Sequence, residues 1–216
     1  LLDAPDLHTR YGACQALKMQ KTSGQAVVSA LLKSFRADDL WLRIMAAEAL
    51  AGIGEPARAA VPEMLEKLAG SDPKNDHRNM EQRYLCFALF DPKGGLISKS
   101  LEGVDRRLLM KAVLAGLQND DGRARGSLST VYKNLSFDEI KPLLPAIRDA
   151  IVERSPSGIM FGDGIRLAGL ELLAKHHIQE GMPLCLDIMD IERWGKNRRI
   201  MDCLKALQYY RGAAKP

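Results

Sequence analysis

The sequence predicts an all-α protein assembled as an array of stacked helical hairpins. Three observations carry that prediction. A pattern between Arg10 and Phe35 returns 33 residues later, with Arg10, Ala13, Ala16, Leu17, Val28, Leu31, Leu32 and Phe35 falling opposite Arg43, Ala46, Ala49, Leu50, Val61, Met64, Leu65 and Leu68. A period of that length marks repeated units rather than one closed core. Ala and Leu carry most of the 46% hydrophobic content, aromatics supply only 6%, and no run of alternating β-branched residues is present. Ala and Leu are strong helix formers, and small Ala side chains let neighbouring helices approach closely. No apolar stretch nears the roughly 20 residues needed to span a bilayer.

The second unit, 38–70, gives the clearest reading. Asp38 or Asp39 caps a first helix through Trp41, Ile44, Met45, Ala47, Ala49 and Leu50. Gly52 and Gly54 end it, and Pro56 keeps it from resuming in place. Pro62 then occupies the first turn of a second helix holding Val61, Met64, Leu65 and Leu68. This helix–turn–helix, with Arg43, the Ala-Ala pair and the Val61-Pro62 start, resembles a HEAT repeat, and 6–37 matches it well. The resemblance implies a right-handed α-α superhelix, a solenoid of about five to six HEAT-type hairpins, as a single repeat domain over 1–216.

Weaker copies extend the pattern. Near 80–118, Arg83, Cys86, Phe87 and Phe90 form a first helix, partnered by Leu108, Leu109, Val113, Leu114 and Leu117. Near 120–152, Asp120, Asp121, Arg125, Leu128, Val131 and Tyr132 open a unit that Leu144-Pro145 to Ile151 closes. A fifth near 163–190 holds Arg166, Gly169, Leu170, Leu172 and Leu173, then Met182-Pro183-Leu184 and Ile188. An incomplete sixth, 197–216, contains Arg199, Cys203, Leu204 and Leu207. The sequence begins Leu1-Leu2-Asp3, stops at Lys215-Pro216, and shows no polar cap at either end. Terminal repeats normally need such a cap, so the expectation is a piece of a longer polypeptide.

An arginine recurs in each first helix: Arg10, Arg43, Arg83, Arg125, Arg166 and Arg199. HEAT repeats use a similar Arg to pair with acidic or carbonyl groups between successive units, and a bidentate guanidinium suits that role. The ladder therefore reads as structural rather than as a ligand site.

Catalytic and cofactor chemistry find no constellation. Cys14, Cys86, Cys185 and Cys203 are far apart, without C-x-x-C spacing, and three of them sit at or beside small buried positions. No metal or disulfide framework is expected from them, and no cofactor. HEAT-repeat hydroxylases bind iron through His-Glu pairs, whereas His8-Thr9, His77-Arg78 and His177-Ile178 supply none. His176 and His177 point to different helix faces, near a helix C-terminus that favours them. HEAT-like lyases handling bilins share the fold, but nothing here marks a tetrapyrrole pocket. Gly94 to Ser100 lacks the Gly-Lys-Ser/Thr order of a phosphate loop and reads as a plain loop. Gly158 to Gly164 reads as an inter-repeat loop with Ile159, Met160 and Phe161 tucked onto the array. The loops Ser71–Met80 and 91–99 read equally as functional or as tolerated insertions.

One cluster stands apart. Arg193, Trp194, Lys196, Arg198 and Arg199 combine cations with an aromatic, the composition of an anion or partner contact. Some HEAT-like proteins are DNA glycosylases cradling duplex DNA, and in that alternative the cations hold phosphate while Trp194 stacks on a base. Charge opposes it. Second helices usually line the concave face of HEAT arrays. The five second-helix windows run from +2 at 105–118 to −3 at 180–190 and cancel to zero. A phosphate-gripping surface should be clearly positive. The formal +4 of the chain sits on first helices and loops. The expected function is a non-catalytic scaffold binding a protein, in cis or in trans, through solenoid faces.

Overall fold

Asp39 starts the helix Leu40–Ile53: its Oδ1 accepts the Leu42 N–H at 2.7 Å, satisfying one of the donors a helix start leaves open. The helix ends where Gly54 takes φ +80°, a left-handed region open to a residue without Cβ. The computed structural model describes residues 1–20, 24–72, 74, 76–153 and 159–210, with the backbone alone for 159–161. Among these residues every regular element is a helix, as the resemblance to a helical-repeat solenoid implies. Two compact units divide the chain, Leu1–Asn119 and Asp120–Pro216.

In the first unit the helices are α1 (Leu7–Gln20), α2 (Gln25–Phe35), α3 (Leu40–Ile53), α4 (Val61–Ala69), α5 (Met80–Phe90) and α6 (Arg106–Leu117). First helices stack in series, α1 on α3 and α3 on α5, while α4 packs on α5 and α6. Val28, Leu31, Phe35, Leu42, Leu50, Met64, Leu65, Leu85, Phe90 and Leu109 fill the core between them. Burial of each such side chain contributes about 1.5–3 kcal/mol, which lets this packing fix helices too short to persist alone. Gly52 lies inside α3 rather than stopping it. A Cβ there would meet the Lys18 backbone at 3.2–3.3 Å, so its absence lets α3 cross close to α1.

Both long loops of this unit are built into the core. Asp76 is buried and accepts the N–H groups of Glu81 and Gln82 at 2.8 and 2.9 Å, opening α5. Gln82 donates to Ser71 Oγ and accepts from Asn119 at 2.6 Å. In the other loop, Leu96 and Ile97 are buried and their N–H groups bond the carbonyls of Ala88 and Leu89.

The second unit holds α7 (Gly122–Ser127), α8 (Ser129–Tyr132), α9 (Phe137–Ile140), α10 (Leu144–Val152), α11 (Ile159–Lys175), α12 (Gly181–Met189), α13 (Ile191–Trp194) and α14 (Ile200–Gln208). Helix α11 is its axis, packed against α7, α8, α10, α12 and α14. The segment read from sequence as a loop, Gly158 to Gly164, is helical from Ile159 onward; Gly158 lies outside the described residues. Close packing explains a glycine one turn further along: a Cβ on Gly169 would press Ile151 of α10 at 2.9 Å, whereas one on Gly164 would meet Gly126 of α7 at an ordinary 3.7 Å. The cost of Gly169 in a helix, about 1 kcal/mol, is offset by the close crossing. The C-terminus of α11 closes with Ile178 N–H to Leu173 and His177 N–H to Ala174, His177 taking the left-handed position at φ +53°.

Candidate functional site

Most of the recurring arginines are committed to partners within the fold. Arg43 forks onto Glu81, Nε to Oε1 at 2.5 Å and Nη2 to Oε2 at 3.2 Å, while its Nη1 donates to the carbonyls of Ala37 and Asp38. Glu81 lies on α5, so the fork ties two successive first helices. Hydrogen bonding to Glu81 holds the Arg43 guanidinium pKa above its ordinary value, against burial. Arg10 donates to the Leu2 carbonyl and Arg125 to Glu153 at 2.9 Å. Arg166, buried, donates to the Ile151 carbonyl and to Asp163. Burial lowers its pKa, and the Asp163 carboxylate works in the opposite direction. Arg199 pairs with the other oxygen of the same Asp163, and that bond raises its pKa. These guanidiniums join chain segments, which is structural work.

The basic cluster therefore divides. Arg193 pairs with Asp187 at 2.5 Å, and Arg199 is held by Asp163. Trp194 is only 2% exposed; its indole N–H points to Asp187 Oδ2 at 3.4 Å, and the Arg166 guanidinium stands 4.5 Å from its ring centroid. A base-stacking platform needs an open ring face, so this geometry gives the nucleic-acid alternative no support. Lys196 and Arg198 make no ion pair among the described residues.

A cleft that sequence reading missed lies between the second helices α4 and α6. Its volume is about 330 Å³, with Val61, Pro62, Leu65, Val104 and Leu108 among its apolar lining and Arg58, Glu102 and Asp105 as its charged residues. Arg58 frames it: Nη1 donates to the Leu96 carbonyl at 3.2 Å, and Nη2 to those of Ser100 and Glu102 at 3.0 and 2.7 Å. Arg58 also lines a second cleft of about 340 Å³ with Gly52, Gly54, Gly95 and Lys99. Gly95 has no room for a side chain, since a Cβ would lie 2.5 Å from the Asp91 nitrogen and 2.7 Å from the Leu89 carbonyl oxygen. Sequence reading did not single out Arg58, because an arginine there is indistinguishable from a solvated one.

No candidate metal centre emerges: no group of three or more His, Cys, Asp or Glu side chains converges among the described residues. All four cysteines are free thiols and buried. Burial pushes the Cys14 thiol up to about 11, and the Cys185 thiol is raised by its hydrogen bond to Cys203 together with burial. No described helix is long and apolar enough to cross a membrane.

Stacked first helices, inter-repeat arginine forks and a cleft between second helices define the class: a helical-repeat protein. Residues 1–85 match the family model of HEAT repeats, which supports a HEAT-repeat family over that stretch, and the all-helical fold is consistent with a helical HEAT-repeat solenoid. No curated protein and no solved structure matches the chain.

Proposed function

We propose that this chain is a non-catalytic interaction module that docks a protein partner, or another domain of its parent polypeptide, through exposed helix faces. HEAT repeats generally serve as protein–protein scaffolds. The observation that carries the reading here is the α4–α6 cleft. It is ligand-sized and lined by apolar side chains together with Arg58, Glu102 and Asp105, the composition of a hot-spot pocket. Arg58 pre-forms it by fixing three loop carbonyls, which lowers the ordering cost of binding. Mixed charge on the second helices suits a protein surface better than a polyanion.

The test is a photo-crosslinking side chain placed at Leu108, inside the cleft, with exposed Arg107 as the control position. In the source cells, the Leu108 probe is expected to capture a discrete protein band that the Arg107 probe does not. The same band should vanish when Val104 is changed to Arg. Equal labelling from both positions, or capture of nucleic acid in place of protein, removes the reading.

A further inference from the structure

Helix α14 presents exposed apolar side chains that, among the described residues, are left uncovered. Helix α11 is packed by five neighbours, whereas α14 rests on α11 and α12. Its inward face is Cys203, Ala206 and, just beyond the helix, Tyr210, all buried. Three apolar side chains stand on the other side: Ile200, Met201 at 66% exposure and Leu204 at 43%. Residues 200, 201 and 204 lie at i, i+1 and i+4, so they form one stripe along the helix. Single exposed apolar residues need no explanation, but a stripe on one helix is the signature of a helix-in-groove contact.

Charge around that stripe chooses the partner. Lys205 follows Leu204 on the helix, and Lys196 and Arg198 lie in the segment leading into it. None of the three makes an ion pair among the described residues, unlike Arg193 and Arg199, which pair with Asp187 and Asp163. Asp202 is the one acidic residue of α14 itself. The stripe is thus preceded and followed along the chain by cations that make no ion pair among the described residues. Opposite potentials across an interface steer encounter and exclude wrong partners.

We propose that the exposed face of α14 docks an amphipathic helix of a protein partner whose apolar stripe is flanked by acidic residues. The inference rests on the protein-docking reading above and adds a second surface and the chemistry of its occupant. Ile200, Met201 and Leu204 supply the apolar seam, and Lys196, Arg198 and Lys205 face the partner's carboxylates.

Fluorescence anisotropy with the whole chain tests it. The probe is a labelled helix of about 20 residues, long enough to be helical alone, with Leu at i, i+3, i+4 and i+7 and Glu on the flanks. A mirror probe carries Lys in place of Glu. The acidic helix is expected to bind at least about tenfold more tightly than the basic one. Leu204→Glu, an exposed change that leaves the core intact, should weaken binding about tenfold or more. Lys196→Glu with Lys205→Glu should reverse the preference between the two probes. Equal binding of both probes, no binding of the acidic one, or an unaltered affinity in Leu204→Glu overturns the proposal. Self-association of the chain that disappears in Leu204→Glu also overturns it, because a second copy then covers the stripe. Crosslinking at Leu108 is read separately, so loss of this inference leaves the cleft reading standing or falling on its own result.

Discussion

Replacing Arg43 with Met keeps the aliphatic bulk and removes the guanidinium that bridges α3 and α5. Glu81 then keeps a carboxylate only about 10% exposed, without the fork that now satisfies both of its oxygens. Breaking a buried ion pair on one side costs about 3–5 kcal/mol, because an uncompensated charge remains behind. Two features lower that figure here. Lys67 Nζ already stands 3.9 Å from Glu81 Oε1 and can take over part of the compensation. The carbonyl of Asp38, which Arg43 also serves, lies near solvent and can turn to water. The expected cost is therefore about 2–4 kcal/mol. Urea unfolding followed by Trp41 fluorescence reads it directly, in a Trp194→Phe background, since Trp41 sits on α3 and Trp194 in the second unit. Removing Glu81 as well, as Glu81→Leu, should return part of the loss, because the stranded charge is gone. A cost for Arg43→Met below about 1 kcal/mol is the value of an exposed pair. That result, or strict additivity in the double variant, refutes the argument that this arginine holds successive repeats together.

Two further outcomes test the packing. Gly181→Ala places a Cβ 2.1 Å from the Tyr210 hydroxyl and 3.0 Å from Leu173 Cβ; Tyr210 must move and give up its 2.7 Å bond to the Ile178 carbonyl. We expect a loss of about 2–4 kcal/mol, and a clearly smaller increment in a Tyr210→Phe background; an undiminished increment means the clash lies elsewhere. With its thiol near 11, Cys14 carries about a hundredfold less thiolate at pH 8 than a free cysteine. Burial adds protection, so native Cys14 should react with iodoacetamide only after urea is added, and prompt native labelling shows that α1 opens readily.

Much of the helical architecture was legible because local chemistry decides it. Asp39 caps α3 since a carboxylate before an apolar run finds open N–H groups within reach. Pro62 lies in the first turn of α4, where its missing N–H has no partner to lose. Glycine was the ambiguous signal. In Gly54 it marks a left-handed stop, but in Gly52 and Gly169 it serves helix crossings set by residues far along the chain. One letter serves both purposes, and sequence spacing alone cannot separate them. That is why Ile159 to Gly164 read as a loop and proved to be the start of α11.

The candidate sites divide along the same line. Composition proposed the grouping of Arg193, Trp194, Lys196, Arg198 and Arg199, yet Asp187 and Asp163 commit two of its cations and Arg166 covers the tryptophan. The cleft framed by Arg58 gave no pattern in sequence, because its walls come from α4 and from a loop some 40 residues away. The sequence by itself determined most of the helices and the repeat rhythm of the first 85 residues, because period, caps and Ala-Leu content act through neighbours within a turn or two. Only the tertiary structure decided which charges are spent on holding repeats together and which stay available, since a salt bridge depends on distance in space and not on separation along the chain.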